Sequence, residues 1–417
     1  MNNSHESNKA EHLPEIEITP HQLPMAKAGF ESLGLGDAIL RCIDNVGFKH
    51  PTPIQEAIIP TALSGKDVIG LAQTGSGKTA AFVLPLAERL IHGRGLRGLI
   101  LCPTREIALQ TKAFLDLFGR DHHLMTACLI GGVRMGGQIK DLQNQPDIIV
   151  ATPGRLYDMV ERGHIDLRQI QELVLDEADH MLDMGFLPQI TKILKILPRK
   201  RHTMMFSATM PGAISRLAQT FLHEPVTVDI IPEGRAAQGI THKLYLVNHI
   251  DKDSCLLALL GRSKEVTLIF SRMKMDADWL GRYLTRNSID VEILHSDRSQ
   301  QERIKALESF RSGEKRVLIA TDIASRGIDI PGIEHVINFD IPENVEDYIH
   351  RAGRTARGAA EGVVSTVATR QDMPRVKEIE AAIGKELPRC TIDGVEPYVE
   401  FKIKPGHDMR FRGGRRR

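Results

Sequence analysis

The segment of this sequence best suited to bind a phosphate group runs from Ala72 to Thr79 and reads Ala-Gln-Thr-Gly-Ser-Gly-Lys-Thr. Its glycines let the backbone curl so that amide groups point at phosphate oxygens, and the N-terminus of a following helix adds a favourable dipole. Lys78 is expected to reach the β- and γ-phosphates of a nucleotide, and Thr79 to hold Mg²⁺. Ala72 departs from the general pattern, which begins with glycine. We therefore predict a phosphate-binding loop (P-loop) that consists of Ala72, Gln73, Thr74, Gly75, Ser76, Gly77, Lys78 and Thr79.

A cluster of carboxylates, Asp176-Glu-Ala-Asp179, follows an apolar run further along the chain. Carboxylates at the carboxyl end of a parallel strand face the crevice where such sheets bind ligands. Asp176 is placed to bind Mg²⁺, directly or through water, and Glu177 to orient and deprotonate an attacking water. Taken alone, the cluster could equally be the acidic start of a helix. Its position downstream of the P-loop favours catalysis.

Short apolar runs alternate with helical patterns along the chain, and these elements must position the residues above. Helical patterns occupy 80–91 and 105–118. The apolar runs lie at 67–71, 98–102, 125–130, 147–150, 172–175 and 203–206, and then at 266–270, 290–294, 316–320, 335–339 and 362–367. Near-continuous apolar runs are typical of parallel strands that are covered on both faces. The alternation therefore predicts doubly wound α/β architecture.

The chain of 417 residues is long enough for two such domains. The segment 231–240 contains a proline and two glycines, which mark a flexible boundary. We predict a flexible lead-in, two domains, a linker between them and a basic tail. The lead-in is 1–28, the two domains are 29–230 and 241–400, the linker is 231–240 and the tail is 401–417.

Composition excludes several classes of protein. The five cysteines are scattered and form no CxxC pair, which argues against a disulfide framework or a zinc site and fits a reducing cytosol. The N-terminus lacks the basic and apolar regions of a signal peptide, and no apolar run approaches the roughly 20 residues that span a bilayer. The net charge of +1 means that any basic surface is local. We expect a cytoplasmic protein without a membrane segment.

With the P-loop and the acidic cluster together, the chain resembles the DEAD-box RNA helicases of superfamily two over about residues 30 to 395. The resemblance implies two tandem RecA-like domains, ATP and Mg²⁺ as cofactors, and RNA as a partner. Residues 47–55 resemble the Q motif of that family, which implies that Gln55 selects adenine. Phe30 is the upstream aromatic residue of that motif. It is expected either to stack on the base or simply to pack in the core.

Further stretches resemble the family's RNA-binding motifs, in the family's order. The resemblance implies contacts to RNA from motifs Ia, GG and Ib in the first domain and from motifs IV and V in the second. Arginine side chains offer cationic forks to phosphates, and hydroxyl and amide groups offer neutral donors. The residues concerned are Arg105, Gly132, Thr152, Arg155, Arg272 and Thr321. Residues 320–329 resemble motif V, and the resemblance also places Gly327 and Asp329 of this motif at the nucleotide.

Two more stretches resemble motifs that connect ATP to domain movement. Ser207-Ala-Thr209 resembles motif III, which implies hydrogen bonds with the region of Asp179, although both hydroxyls could instead cap the next helix. Residues 350–357 resemble motif VI, with alanine at two positions where the family has Ile and Gly. The resemblance gives coupling roles to His350 and Arg351, and makes Arg354 and Arg357 arginine fingers that complete the ATP site when the domains close.

The resemblance thus predicts an RNA-dependent ATPase that locally unwinds short RNA duplexes or remodels ribonucleoprotein. Contacts should be mostly to the RNA backbone, because no aromatic platform for base stacking is evident. The tail from Lys404 onward carries one Lys and five Arg, so it either adds non-specific RNA affinity or is only a solubilising end. A DNA translocase and an ATP-gated RNA clamp that turns over slowly remain alternatives. We expect a monomer, with a ribonucleoprotein partner left open.

Overall fold

The computed structural model describes residues 29–72, 75–119, 123–230, 239–262, 264–325, 332–356 and 361–396. Several of the predicted site residues and segments lie outside these ranges. They are Gln73, Thr74, Gly327, Asp329, Arg357, the lead-in 1–28, the tail 401–417 and most of the linker 231–240.

The first half of the chain builds one parallel sheet with helices around it. Its strands are β1 (Val68–Leu71), β2 (Gly98–Leu101), β3 (Thr126–Leu129), β4 (Ile148–Ala151), β5 (Glu172–Leu175), β6 (His202–Ser207) and β7 (Val226–Asp229). Its helices are α1 (Asp37–Val46), α2 (Pro53–Leu63), α3 (Lys78–Leu90), α4 (Arg105–Gly119), α5 (Met135–Gln143), α6 (Pro153–Glu161), α7 (Ala178–Asp183), α8 (Leu187–Ile196) and α9 (Gly212–Phe221). A short 3₁₀ helix, Phe30–Leu33, precedes them.

The second half repeats this architecture. Its strands are β8 (Ile240–Leu246), β9 (Thr267–Phe270), β10 (Val291–Leu294), β11 (Val317–Ala320), β12 (His335–Asn338), β13 (Gly362–Ala368) and β14 (Arg389–Cys390). Its α-helices are α10 (Lys252–Gly261), α11 (Lys274–Arg286), α12 (Gln300–Arg311), α13 (Asp322–Ser325), α14 (Val345–Ala352) and α15 (Met373–Ile383). Short 3₁₀ helices occupy His249–Asp251 and Arg370–Asp372.

The two sheets share one strand order. The first runs β3-β4-β2-β5-β6-β1-β7 and the second β10-β11-β9-β12-β13-β8-β14, which is the same order when strands are counted from the start of each half. Every apolar run predicted as a strand is confirmed. The sequence pattern missed β7, β8 and β14, because β8 alternates buried and more exposed residues, β7 is a partly exposed strand and β14 has only two residues.

Both sheets are buried on each face, which explains their near-continuous apolar strands. The central strands β1, β2, β4 and β5 have no exposed residue, and separate apolar clusters lie on the two faces of each sheet. Burial of this apolar surface is the main favourable term in folding. None of the helices in the described ranges is long and apolar enough to cross a membrane.

A buried histidine makes the stability of the second sheet depend on pH. Nδ1 of His242 in β8 lies 2.7 Å from the Tyr348 hydroxyl, and burial lowers the pKa of the imidazole to about 4. Between that value and the unfolded pKa of about 6.5, the unfolded chain binds the extra proton, so stability falls as pH falls. We expect the free energy of unfolding to be about 2 kcal/mol lower at pH 5 than at pH 7 because of this residue.

Urea unfolding of His242→Phe at the two pH values checks this expectation. The chain has a single tryptophan, Trp279 in α11, whose fluorescence reports on the second domain. Between pH 7 and pH 5, the free energy of unfolding should fall by about 2 kcal/mol less in the variant than in the wild type. His335 provides an internal comparison, because burial lowers its pKa to about 4 as well and it is unchanged in the variant. An identical pH dependence in wild type and variant would contradict the assignment.

Candidate active site and nucleic-acid interface

The strand order of the first sheet brings three predicted motifs to one edge. β5, β6 and β1 are neighbours, so their carboxyl ends lie side by side at about 4.8 Å per strand. The acidic cluster follows β5, motif III begins at the last residue of β6, and the P-loop follows β1. Doubly wound sheets bind ligands outside the carboxyl ends of their strands. This edge is therefore the candidate nucleotide site.

The described part of the P-loop has the backbone shape that a phosphate cradle requires. Gly75 and Gly77 have φ angles of 86° and 92°, and Gly77 is the N-cap of α3. Lys78 is buried, and its Nζ donates to the carbonyl of Ala72 at 2.6 Å. The hydroxyl of Ser76 is buried without a hydrogen-bond partner in the described ranges. The loop thus offers amide, hydroxyl and ammonium donors, which fit the phosphates of ATP.

The Q motif is joined directly to this loop. Gln55, which is 5% exposed, accepts from the amide of Thr52 at 2.9 Å and donates through Nε2 to the carbonyl of Gly77 at 3.1 Å. A Cβ atom at Gly77 would lie 2.5 Å from that Nε2, so glycine is required here for space as well as for its φ angle. Gln55 therefore sets the position of the P-loop. Its selection of adenine stays a prediction.

The aromatic residue of the Q motif lies in the core of the first domain. Phe30 is 3% exposed, and its ring stacks on that of Phe48 with centroids 6.4 Å apart. Phe30, Phe48 and Lys49 also line a surface pocket of about 320 Å³. This arrangement favours the packing role for Phe30, and stacking on the base stays a prediction. Phe48, which the sequence pattern did not single out, is the more exposed of the two rings.

The acidic cluster places the buried carboxylate of Asp176 next to the partly buried carboxylate of Glu177. Glu177 adopts a left-handed conformation, with φ 47° and ψ 58°, as the N-cap of α7. Burial and the charge of Glu177 raise the pKa of the Asp176 carboxyl well above its ordinary value. Burial alone would raise the pKa of Glu177 too, but the hydrogen bond from His180 and the charges of His180, Lys78 and Arg354 lower it below its ordinary range. Glu177 is thus the carboxylate held in the base form.

These donors fit Mg²⁺. A buried carboxylate with a raised pKa is stabilised in its charged form by a divalent cation beside it. Asp176 and the hydroxyl of Thr79 carry hard oxygen atoms of the kind that Mg²⁺ prefers, so these two residues would hold the ion. Within the described ranges, no group of three or more His, Cys, Asp or Glu side chains could hold a metal by itself. Mg²⁺ is usually bound by one or two carboxylates together with substrate phosphates.

Motif III is bonded to the last residue of the acidic cluster. Oδ2 of Asp179 accepts from the amides of Ala208 and Thr209 at 3.0 and 2.9 Å, and from the Thr209 hydroxyl at 3.1 Å. The hydroxyl of Ser207 in turn accepts from the amide of Asp179 at 3.2 Å. Both predicted hydroxyls therefore contact Asp179, and neither makes a side-chain cap of the following helix α9.

The RNA-binding residues predicted in the first domain converge on one loop. A Cβ atom at Gly132 would lie 2.0 Å from Nη1 of Arg105, so the guanidinium packs directly over this glycine. The amide of Gly131 donates to the Thr152 hydroxyl at 3.4 Å, and Nη2 of Arg155 donates to the Val133 carbonyl at 3.0 Å. Burial and the nearby cations Arg303 and Arg155 lower the pKa of Arg105, partly offset by Glu106. This density of positive charge suits a phosphate backbone.

Arg351 of motif VI connects several strand ends of the second domain. Its Nε and Nη2 donate to the two carboxylate oxygens of Asp322 at 2.6 and 2.7 Å. Its Nη1 donates to the Asn338 side chain at 3.1 Å and to the carbonyl of Asp340 at 2.7 Å. The guanidinium also lies 4.8 Å from the ring of Phe270. Arg351 therefore fixes motif VI to motif V, and the half-buried His350 precedes it on α14.

The remaining predicted RNA contacts of the second domain lie at adjacent strand ends. Thr321 follows β11 and Arg272 closely follows β9, and these strands are paired. The amide of Arg272 donates to Asp340 at 3.0 Å, and its Nη2 donates to the Ile341 carbonyl at 3.3 Å. Lys252 donates to the other oxygen of Asp340 at 2.7 Å. Thr321 and Arg272 thus share one edge of the second sheet.

The two domains meet at the candidate active site. Arg354, which is 5% exposed, lies close enough to Glu177 for its charge to lower the pKa of that carboxyl. A second contact joins Glu106 of α4 to α12: its Oε1 accepts from Arg303 Nε at 2.7 Å and from Gln300 Nε2 at 3.2 Å. Sequence reasoning gave Glu106, Gln300 and Arg303 no role. Two signals were available in the sequence: Glu106 follows Arg105, a predicted RNA contact, and Gln300 and Arg303 lie in the stretch 295–303, which resembles a segment of the family.

The ion pair between Glu106 and Arg303 should stabilise the closed form of the protein. Both side chains are buried, and removal of one partner leaves an uncompensated charge. We expect Glu106→Gln and Arg303→Gln each to weaken RNA binding in the presence of a non-hydrolysable ATP analogue by about tenfold or more. Binding without nucleotide serves as the control and should change little. Additive losses in the double variant, or equal losses without nucleotide, would contradict a closure-specific pair.

Comparisons with known proteins show the family of this chain. Family models match residues 52–217 as a DEAD/DEAH box helicase and residues 251–359 as a helicase conserved C-terminal domain. The ATP-dependent rRNA helicase RRP3 of Candida albicans is 40% identical and covers 93% of this chain and 76% of its own length. The DEAD-box ATP-dependent RNA helicase CshA of Bacillus cereus is 39% identical and covers 89% of this chain and 71% of its own.

Solved structures give the same result. Dbp5 of S. cerevisiae, bound to RNA and ADP BeF3, has a TM-score of 0.78 and 30% identity, and the match covers 87% of this chain and 95% of that one. Mss116, bound to single-stranded RNA and UDP-BeF, has a TM-score of 0.80 and 27% identity, and the match covers 89% and 82%. The predicted architecture of two tandem RecA-like domains is therefore confirmed.

Proposed function

Because this chain belongs to the DEAD-box ATP-dependent RNA helicases, we propose that ATP drives closure of its two domains on RNA, and that closure separates short duplexes or remodels ribonucleoprotein. The relatives above are named as RNA helicases, and the Dbp5 and Mss116 structures contain RNA with a nucleotide analogue. For this chain, the observation that carries the proposal is the position of Arg354. It comes from the second domain and lies near Glu177 of the first.

On the nucleotide side, the proposal gives each residue of the first sheet's edge a role. Lys78 and the P-loop amides bind the phosphates, and Gln55 holds the loop in place while it recognises adenine. Mg²⁺, held by Asp176 and Thr79, would neutralise charge on the phosphates. Glu177 accepts the proton of the attacking water, and Arg354 stabilises the charge of the transition state. The proposal also includes three residues that lie outside the described ranges. They are Arg357 as a second arginine finger, and Gly327 and Asp329 at the nucleotide.

On the RNA side, we propose a path along both domains. The starts of α4 and α6 bring Arg105, Thr152 and Arg155 to the loop that contains Gly132 in the first domain. Arg272 and Thr321 lie at adjacent strand ends of the second. Their guanidinium, hydroxyl and amide groups suit phosphate and sugar, so binding should not depend on base sequence.

Coupling between the two sites is proposed to run through motif III. Asp179 is the last residue of the acidic cluster, and its carboxylate accepts from Thr209 and from the amide of Ala208 beside it. A shift of the acidic cluster on ATP hydrolysis would therefore move the segment after β6. Closure bends one RNA strand and expels its partner, and loss of the γ-phosphate reopens the domains.

The chain supplies both halves of the active site, which supports a monomer as the working unit. All five cysteines are free thiols, which supports a reducing compartment such as the cytoplasm. A ribonucleoprotein partner remains part of the proposal, since the motifs contact RNA mainly through its backbone and supply little target specificity.

The test is steady-state ATPase activity without nucleic acid, with single-stranded RNA and with single-stranded DNA at matched salt. We expect strong stimulation by RNA alone, because RNA and ATP together favour closure. Equal stimulation by DNA would replace the proposal with a DNA translocase. RNA that stays bound well beyond the hydrolysis time would replace it with an ATP-gated clamp.

A further inference from the structure

His180 holds the carboxylate of the proposed general base. It lies in the first turn of α7, and its Nδ1 is 3.1 Å from Oε2 of Glu177. A carboxylate offers only acceptors, so Nδ1 carries the hydrogen of this bond. We propose that His180 is a positioning residue for ATP hydrolysis, which fixes the plane of the Glu177 carboxylate relative to the attacking water. This inference rests on the function proposed above.

The geometry separates a positioning role from a catalytic one. The side chain of His180 is 4% exposed and that of Glu177 is 12% exposed, so the imidazole lies behind the carboxylate and away from solvent. One oxygen of Glu177 is tied to the imidazole. When one oxygen and the side-chain carbons are fixed, the plane of the carboxylate is fixed, and so are the lone-pair directions of the other oxygen. His180 forms and breaks no covalent bond in this role.

The local backbone explains why the imidazole reaches this oxygen. Glu177 is the N-cap of α7 and adopts a left-handed conformation that is uncommon for residues other than glycine. From that N-cap, the helix turns so that the residue three positions later lies beside the capping side chain. The amide of His180 is itself held by Oδ1 of Asp179 at 3.0 Å. The histidine is thus anchored to the same cluster that it orients.

Stability alone does not account for a histidine at this position. The Nε2 atom of His180 is buried and has no hydrogen-bond partner in the described part of the chain. A buried polar atom without a partner destabilises the fold, and an apolar side chain of similar size would avoid that cost. Among the residues that the structure describes, the ring is hydrogen-bonded to Glu177 alone.

The experiment compares His180→Leu with His180→Asn in the full chain. Leucine removes the donor but fills similar space. Asparagine keeps an N–H group near the position of Nδ1. We expect RNA-stimulated kcat to fall about tenfold to a hundredfold in His180→Leu, with KM for ATP and the RNA affinity unchanged and the Tm unchanged or raised. His180→Asn should recover most of the lost kcat.

A second measurement tests whether His180 acts through Glu177. In the Glu177→Gln background, His180→Leu should lower single-turnover hydrolysis by less than twofold, because the base it orients is gone. The inference is overturned by full kcat in His180→Leu, by equal losses in the leucine and asparagine variants at unchanged Tm, or by an undiminished loss in the Glu177→Gln background. Wild-type protein without RNA-stimulated ATPase would instead overturn the proposed function, so the two failures are distinguishable.

Discussion

Replacement of Glu177 with glutamine should lower kcat for RNA-stimulated ATP hydrolysis by about a thousandfold, as expected when a general base is removed. Glutamine has the same shape and can still accept the hydrogen bond from His180, so the local structure should persist. It cannot take a proton from the attacking water. Affinities for ATP and RNA should stay within a few-fold of wild type, because the groups proposed to bind them are the P-loop and the arginines around Gly132.

Single-turnover hydrolysis and equilibrium binding of ATP and RNA, measured on the same preparation, check this expectation. Glu386→Gln removes the same charge at an exposed position after α15 and should behave as wild type. Because hydrolysis reopens the domains in the proposed cycle, the Glu177→Gln variant should also release RNA more slowly when ATP is present. Near-normal ATPase activity would remove Glu177 from its assigned role.

Replacement of Arg354 with alanine should lower kcat by about a thousandfold or more, the range observed for arginine fingers in P-loop enzymes. Arg354 lies in the turn after α14 and belongs to the second domain, so we propose that it acts on the transition state and on closure. ATP affinity in the absence of RNA should change little, because the first domain alone forms the P-loop. Closure-dependent RNA binding should weaken.

Arg354→Lys adds information to this test. It keeps a charge but loses the fork of the guanidinium, so its rate should lie between those of wild type and Arg354→Ala. Arg286→Ala, at the exposed end of α11, is the matched control for loss of one arginine from the same domain. Weak ATP binding combined with normal turnover at saturating ATP would contradict the finger assignment, since it would place Arg354 in ground-state binding.

The sequence by itself determined the elements and the chemical groups. Near-continuous apolar runs predicted the central strands, because local hydrophobicity decides which segments are buried on both faces. The P-loop and the acidic cluster could be identified from the sequence, because each consists of consecutive residues at the end of a strand. For the same reason, the pattern missed β8, whose alternating burial differs from that of a central parallel strand.

The tertiary structure alone decided which of these groups meet. The strand order inserts β6 between β5 and β1, and this places motif III against Asp179. The fold also buries Phe30 beside Phe48, where the sequence had left two roles open. The pair between Glu106 and Arg303 spans 197 residues and two domains. No periodicity or spacing can encode such contacts, because they depend on how sheets and domains pack after the local elements have formed.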